Sequence, residues 1–302
     1  MEYCKLKVSR FVETHYGARA QNLEPLAAGD WSQAYSFLLD EKEMVIRFGS
    51  FVDDFKKDCV MGAFSSDIVP IPKVTEIGET EHGFYAISER VRGKHLDELS
   101  GPEIEHVLPQ LIDALYEFQK LDLSDTQVVG IWHPEGAGLT WGDKLLSVAE
   151  PRDRQPGWRE QLNASPQEAK IFDDGVARLR QLVTKLPEHR GIIHSDLLNR
   201  NVLVHQGKLT GIIDWGNAFY GDPLYDIAWL IYWWSWYPDW QKVDLQVILD
   251  RHWDKHGGQP PQLEERLRCC LIHIGLDHIA YCAFRQRPAD MRRNAKQLLS
   301  YI

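Results

Sequence analysis

The sequence predicts an α+β protein, with a small β-rich N-terminal lobe and a larger, mostly helical C-terminal lobe. Three observations predict it. Strand-like runs cluster before residue 92, and amphipathic helical patterns dominate from Pro102 onward. One more hairpin pattern, "VLVHQGKLTGII", lies inside the helical part. The polar, glycine-bearing stretch "RGKHLDELSGPE" reads as the hinge and divides the chain into 1–92 and 93–302.

The elements follow in order. "KLKVSRFVETHY" has helical spacing of apolar residues. Ala34–Leu39 and Met44–Phe48 read as strands joined by the polar turn "DEK". Gly29 and Asp30 form a tight loop before them. "IVPIPKVTEIGE" crosses the surface into another strand, and "HGFYAISERV" is a further one. "EIEHVLPQLIDALYEFQKL" is strongly helical, with Pro109 expected to kink it or delay its start. "EAKIFDDGVARLRQLVTKL" is a second amphipathic helix. "GDPLYDIAWLIYWW" places Asp222 as N-cap and Pro223 at the first helical position. "QLEERLRCCLIHIGLDHIAYCAF" closes the chain as a long helix.

Bulk properties narrow the function. The chain has 302 residues, 44% hydrophobic and 26% charged, enough for a sizeable core. A formal charge of -10 argues against nucleic acid as a partner and suits a cationic small molecule, although acidity also serves plain solubility. Five cysteines without a CxxC pair favour neither a disulfide framework nor a cysteine zinc site, which fits a reducing cytoplasm. "MEYCKLKVSRFVETHYG" has no apolar leader, and "IAWLIYWW" is too short to span a bilayer. A cytoplasmic monomer without a membrane partner is expected.

Chemistry concentrates in "IIHSDLLNRNVLVHQGKLTGIIDWGN". Val202–His205 and Lys208–Ile213 can pair across a Gln206-Gly207 turn, a register that sets position 201 beside 212. Asn201 and Asp214 then share the open end of the hairpin, with Asp196 on the loop entering it. Two carboxylates that close repel unless a cation lies between them. Magnesium takes hard oxygen ligands at about 2.1 Å, commonly one or two carboxylates plus substrate phosphates. Asn201 and Asp214 would be its protein ligands, leaving Asp196 to face an acceptor hydroxyl. The competing reading is a set of turn and cap residues.

"HSDLLNRN" followed by "IIDW" resembles the catalytic loop and metal-binding motif of the protein-kinase-like fold. With "GDPLYDIAWL", the chain resembles the aminoglycoside phosphotransferase and choline kinase superfamily. Within it, "AAGDWSQAYSF", "MVIRF", "PIPKVTEIG", "ISERV", "IAWLIYWWSW" and "IGLDH" look most like hygromycin-B phosphotransferases. The resemblance implies a two-lobed kinase-like fold. It implies Asp196 as catalytic base or hydroxyl-orienting group, Asn201 and Asp214 as magnesium ligands, and His194 as a brace of the loop. It sets Arg47 on the nucleotide phosphates where most relatives carry Lys, with Asp54 or Asp58 as its acidic partner. Arg and Lys are not interchangeable in such a role. No Walker A pattern, G-x-x-x-x-G-K-[ST], occurs, so the loop around Gly29–Gln33, including Ser32, is the candidate phosphate cover, with a plain turn as its competing reading. The resemblance sets the adenine against the backbone of Glu89–Val91. Ser195 stands where the family commonly has Gly, and would be strained if that position needs a positive φ.

The remaining candidates are open between bland and functional roles. Asp222 and Asp226 are expected to cap and brace a helix rather than touch substrate. Trp229 reads as core; for Trp233 and Trp236 both core and a sugar-stacking wall stand. Asp277 is equally a receptor for a substrate ammonium and a helix brace. His252 and His256 stand four apart, but no glutamate follows the first as in H-E-x-x-H, and an exposed charged helix is expected instead of a zinc site.

These readings converge on an ATP- and magnesium-dependent O-kinase, with GTP as the alternative nucleotide, acting on an aminocyclitol antibiotic such as hygromycin B and conferring resistance. A kinase of choline, a sugar or an amino alcohol is the alternative within the fold. A catalytically silent nucleotide-binding scaffold is the alternative outside the enzymes.

Overall fold

Five antiparallel strands in the order β1-β2-β3-β5-β4 form the N-terminal sheet. They are β1 Ala20–Pro25, β2 Ser32–Leu39, β3 Lys42–Gly49, β4 Val74–Thr80 and β5 Gly83–Glu89. The structure is a computed structural model that describes residues 4–26, 32–120, 140–189, 191–198 and 200–302. The β2–β3 reversal turns on Asp40 and Glu41, at φ 49° and 68°, the left-handed pair of a two-residue hairpin.

Strand alternation decides what each face of the sheet meets. Met44, Ile46 and Phe48 of β3 pack with Tyr35, Phe37, Tyr85 and Ile87 beneath Val8 and Val12 of helix α1, Lys5–Tyr16. Burying a side chain such as Ile46 contributes roughly 1.5–3 kcal/mol. The opposite face carries Ala86, which packs with Val74 and with Phe55 of helix α2, Val52–Gly62. Arg47, between Ile46 and Phe48, alternates onto that α2 face.

Sequence reading predicts neither β1 nor α2. Strand β1 is an edge, exposed at four of six positions, so no apolar alternation marks it. Helix α2 buries only Phe55, Asp58 and Met61, and a buried carboxylate breaks the hydrophobic pattern.

The chain forms two compact units. The first runs to Leu99 and includes Asp196–Ala218. Its second sheet joins β6, Lys94–His95, to the hairpin of β8, Val202–His205, and β9, Lys208–Ile212. The second unit starts at Ser100 and includes Phe219–Ile302. There a small antiparallel pair joins β7, Gly191–Ile193, to β10, Phe219–Gly221.

The helices of the second unit are α3 Gly101–Phe118, α4 Trp141–Leu146, α5 Trp158–Asn163, α6 Pro166–Val183, α7 Leu224–Trp234, α8 Leu245–Lys255, α9 Leu263–Phe284 and α10 Pro288–Leu298. A capping box opens α3: the Ser100 amide donates to the Glu103 carboxylate at 2.9 Å. Pro109 does not delay α3, which starts eight residues earlier at Gly101 and passes through it. Helix α9 has the length and hydropathy of a bilayer span, yet Cys269, Ile272, Leu276 and Ile279 are buried inside the unit.

Candidate active site

The hairpin reverses at Gln206 and Gly207, φ 51° and 73°. Its register differs from the predicted one. His205 pairs Lys208 and Val204 pairs Leu209, but Leu203 then pairs Gly211 and Val202 pairs Ile212. Thr210 is the extra residue of a β-bulge, which counting outward from the turn does not reveal. Asn201 therefore stands opposite Ile213, whose amide donates to its carbonyl at 2.9 Å, and Asp214 follows directly. Asp214 takes a left-handed conformation, φ 62° and ψ 65°, which Asp tolerates better than most residues.

Three predicted residues come together here within the first unit. The side-chain amide of Asn201 donates to the Asp196 carbonyl at 2.7 Å. Asn217 Nδ2 donates to Asp196 Oδ2 at 3.3 Å. Arg47 Nη1 donates to Asp214 Oδ1 at 3.4 Å, and its Nη2 pairs with Asp58. Asp58, not Asp54, is thus the partner of Arg47. Its other oxygen accepts from the Trp215 amide at 2.8 Å. Burial and the nearby Asp214 charge push the Asp58 carboxyl up, against Arg47 and the Trp215 amide. Burial disfavours the charge on Arg47, but Asp58 and Asp214 outweigh it and raise its pKa.

Sequence reading missed the rest of this grip. Lys57 of α2 donates to the carbonyls of Gly216 and Ala218 at 2.9 and 2.8 Å. A Cβ on Gly216 would come within 2.9 Å of the Asp54 side chain, so glycine permits the close approach of α2. Helix α2 thereby positions both the strand cation and the segment after Asp214. Asn217 carried a visible signal, standing three residues beyond Asp214 in "IIDWGN".

The other nucleotide candidates are spread along the first unit. Ser32 opens β2 opposite Gly49. Gly29 lies outside the described residues. Of the Glu89–Val91 backbone, the Glu89 amide is taken by the Lys73 carbonyl at 3.1 Å and the Arg90 amide by Glu43 at 2.9 Å. Val91 packs its side chain over Gly211.

Within the second unit, Asp226 accepts from the amides of His194 and Ser195, both at 2.8 Å. Ser195 does take a positive φ, 62°. That conformation costs on the order of 1–3 kcal/mol, and the two amide bonds to Asp226 hold the backbone in it. Burial pushes the Asp226 carboxyl up to about 7, against the two amides. His194 is itself fully buried.

Asp222 is fully buried and fork-paired with Arg266, 2.7 Å to each oxygen. It also accepts from the Leu224 amide at 3.0 Å, although α7 begins at Leu224, one residue later than predicted. Trp233 is buried among Trp229, Trp236 and the His278 ring. Trp236 donates to Gln297 at 2.7 Å, and the Arg293 guanidinium covers its face at 3.6 Å. Asp277 pairs with Arg152 at 2.8 Å; burial alone would raise its pKa, but Arg152 with His273, His278 and Lys144 holds it low.

His252 is not exposed as expected. Its side chain is 9% accessible and lies 3.0 Å from Asp113.

A magnesium ion suits the oxygen donors of the first unit. With Nδ2 of Asn201 committed to the Asp196 carbonyl, Oδ1 is the atom left as a hard ligand beside the half-exposed Asp214 carboxylate. Two carboxylates against one guanidinium leave a net negative cluster.

Residues 24–264 match the model of the phosphotransferase enzyme family. A hygromycin-B 4-O-kinase of Escherichia coli is 32% identical over 270 residues, covering 85% of this chain and 74% of that protein. An N-acetylmuramate/N-acetylglucosamine kinase of Pseudomonas aeruginosa is 23% identical over 233 residues, 70% of this chain and 61% of that one. Among solved structures, a thermostable mutant of aminoglycoside phosphotransferase APH(4)-Ia, in ternary complex with AMP-PNP and hygromycin B, superposes with a TM-score of 0.79. It is 28% identical, and 97% of each chain is covered. A second such mutant, with ADP and hygromycin B, gives a TM-score of 0.81 at 27% identity over 97% of each chain.

Proposed function

Because the chain belongs to the phosphotransferase enzyme family, we propose that it is an ATP-dependent aminoglycoside O-phosphotransferase acting on hygromycin B and conferring resistance to it. The observation that carries the reading is the meeting of Asp196, Asn201 and Asp214 beside the Arg47–Asp58 pair. The acceptor rests on the Escherichia coli relative, whose name also points to oxygen 4.

In the reaction the acceptor oxygen forms a bond to the γ-phosphorus of ATP, and the bond from that phosphorus to the bridging oxygen breaks, releasing ADP. The hydroxyl proton passes to Asp196, whose carboxylate Asn217 orients. Arg47, fixed by Asp58, presents its guanidinium to the nucleotide phosphates, the role of the strand lysine and helix glutamate of kinases. Asn201 and Asp214 hold magnesium, which when bound neutralises charge on the phosphate oxygens. His194 and Ser195, tied to Asp226, set the start of the catalytic loop. Little bond chemistry is asked of the protein; positioning and charge neutralisation supply most of the acceleration.

Residues 1–92 serve as the nucleotide-binding lobe and 93–302 as the catalytic and substrate-binding lobe. The adenine lies against the Glu89–Val91 backbone, with Ser32 at the phosphates. Trp233 and Asp277 are the acceptor-side candidates we retain. The enzyme works as a cytoplasmic monomer without nucleic acid or membrane, a reading that the net charge of -10 supports for a cationic substrate.

ADP release by the purified protein, with magnesium-ATP and hygromycin B, other aminoglycosides, choline or amino sugars, tests the assignment. Turnover with hygromycin B and raised tolerance of an expressing bacterium are expected. Turnover confined to choline or an amino sugar would replace the acceptor, and no turnover with any of them would remove the kinase reading.

A further inference from the structure

A second cluster of ligating groups lies in the helical unit, apart from the residues assigned to phosphoryl transfer. Asp113 comes from α3, His252 from the last turn of α8, and His256 from its C-terminal cap. Asp113 Oδ1 stands 3.0 Å from His252 Nδ1 and 3.6 Å from His256 Nε2. The three ligand atoms all lie within 4.8 Å of one another.

We propose that Asp113, His252 and His256 bind a divalent transition ion of the zinc class, clamping α3 to α8. Ligand atoms about 2.0–2.1 Å from a tetrahedral ion are roughly 3.3 Å apart, and the separations from Asp113 Oδ1 to the two histidines bracket that value. Two imidazoles with one carboxylate select zinc, nickel or cobalt over magnesium and calcium, which take oxygen ligands.

The surroundings fit the role. His256 Nε2 is enclosed and has no hydrogen-bond partner among the described residues, an atom that an ion would satisfy. Lys255 Nζ holds the other Asp113 oxygen at 2.8 Å, so Oδ1 is presented to the histidines while Oδ2 is anchored. The Tyr116 ring packs on His256 at 4.0 Å between centroids and edge-on to His252 at 5.5 Å, which orients both imidazoles. Three protein ligands leave a fourth position for water. Spacing in α8 alone supplies only the two histidines; the third ligand is 139 residues away from His252.

The test uses the full chain, stripped with a chelator and held in excess magnesium so that the nucleotide site is occupied by its own ion. Zinc is titrated by calorimetry and cobalt by visible absorption. One equivalent of zinc with micromolar or tighter affinity, the intense visible bands of tetrahedral cobalt and a raised unfolding midpoint are expected. Asp214→Asn should keep the equivalent. His256→Gln should weaken binding at least about tenfold. His252→Asn combined with His256→Gln should abolish binding, folding being checked by circular dichroism. Absence of a bound equivalent in the parent protein, or full retention by a folded His256→Gln variant, would overturn the proposal.

Discussion

The Asn201 side-chain amide donates to the Asp196 backbone carbonyl at 2.7 Å, so the residue proposed as a magnesium ligand also fixes the loop that carries the proposed base. Replacing it with Asp removes the donor and sets a carboxylate against that carbonyl. Asn201→Asp is expected to raise the magnesium concentration for half-maximal activity and to lower kcat. Unchanged magnesium dependence in steady-state assays would show that Asn201 is not a ligand.

Asp196→Asn keeps the backbone bond to Asn201 and removes the proposed proton acceptor. Turnover should fall by about 10²–10⁴, while nucleotide binding, followed by calorimetry, stays near that of the parent. A variant that turns over normally would dismiss Asp196 as the base.

Asp58 neutralises Arg47 and accepts the Trp215 amide, and its side chain is only 7% exposed. Asp58→Ala leaves a buried guanidinium with Asp214 alone and should cost roughly 3–5 kcal/mol. Urea unfolding reads the loss. Arg47→Lys should retain fold and lose nucleotide affinity, because an ammonium cannot span Asp58 and Asp214 in the same fork.

Gly216→Ala drives a methyl into Asp54 of α2. The expected result is a drop in the unfolding midpoint together with reduced kcat, since the same helix positions Arg47.

His273 is buried, and burial lowers its pKa from 6.5 to about 3; its Nδ1 lies 2.8 Å from the Tyr225 hydroxyl. Between those values the unfolded chain binds a proton that the folded chain refuses. Its contribution to stability is therefore complete above pH 6.5 and falls with acidification, by up to about 1.4 kcal/mol per unit. Asp226, raised to about 7, acts in the opposite sense between there and its ordinary 3.8, losing stability as pH rises. Denaturant curves of the parent and of His273→Asn isolate the histidine by difference: below pH 6.5 the parent should lose stability with acidification relative to the variant, in which the opposing Asp226 contribution remains. Identical slopes would contradict a neutral buried imidazole.

Local chemistry made much of this protein readable from its residues. Turn formers at Gln206-Gly207, period-two strands and the Asp196, Asn201 and Asp214 spacing are short-range properties, and they mark the hairpin and its candidate ligands without reference to the remaining chain. Long-range packing decided the rest. The bulge at Thr210 moved the register by one residue, the choice of Asp58 over Asp54 awaited the docking of α2, and Arg293 covered the face of Trp236. Asp113 joined two histidines that looked like an exposed helix. A side chain's partner depends on which distant surfaces burial brings together, and one-dimensional periodicity carries no record of that.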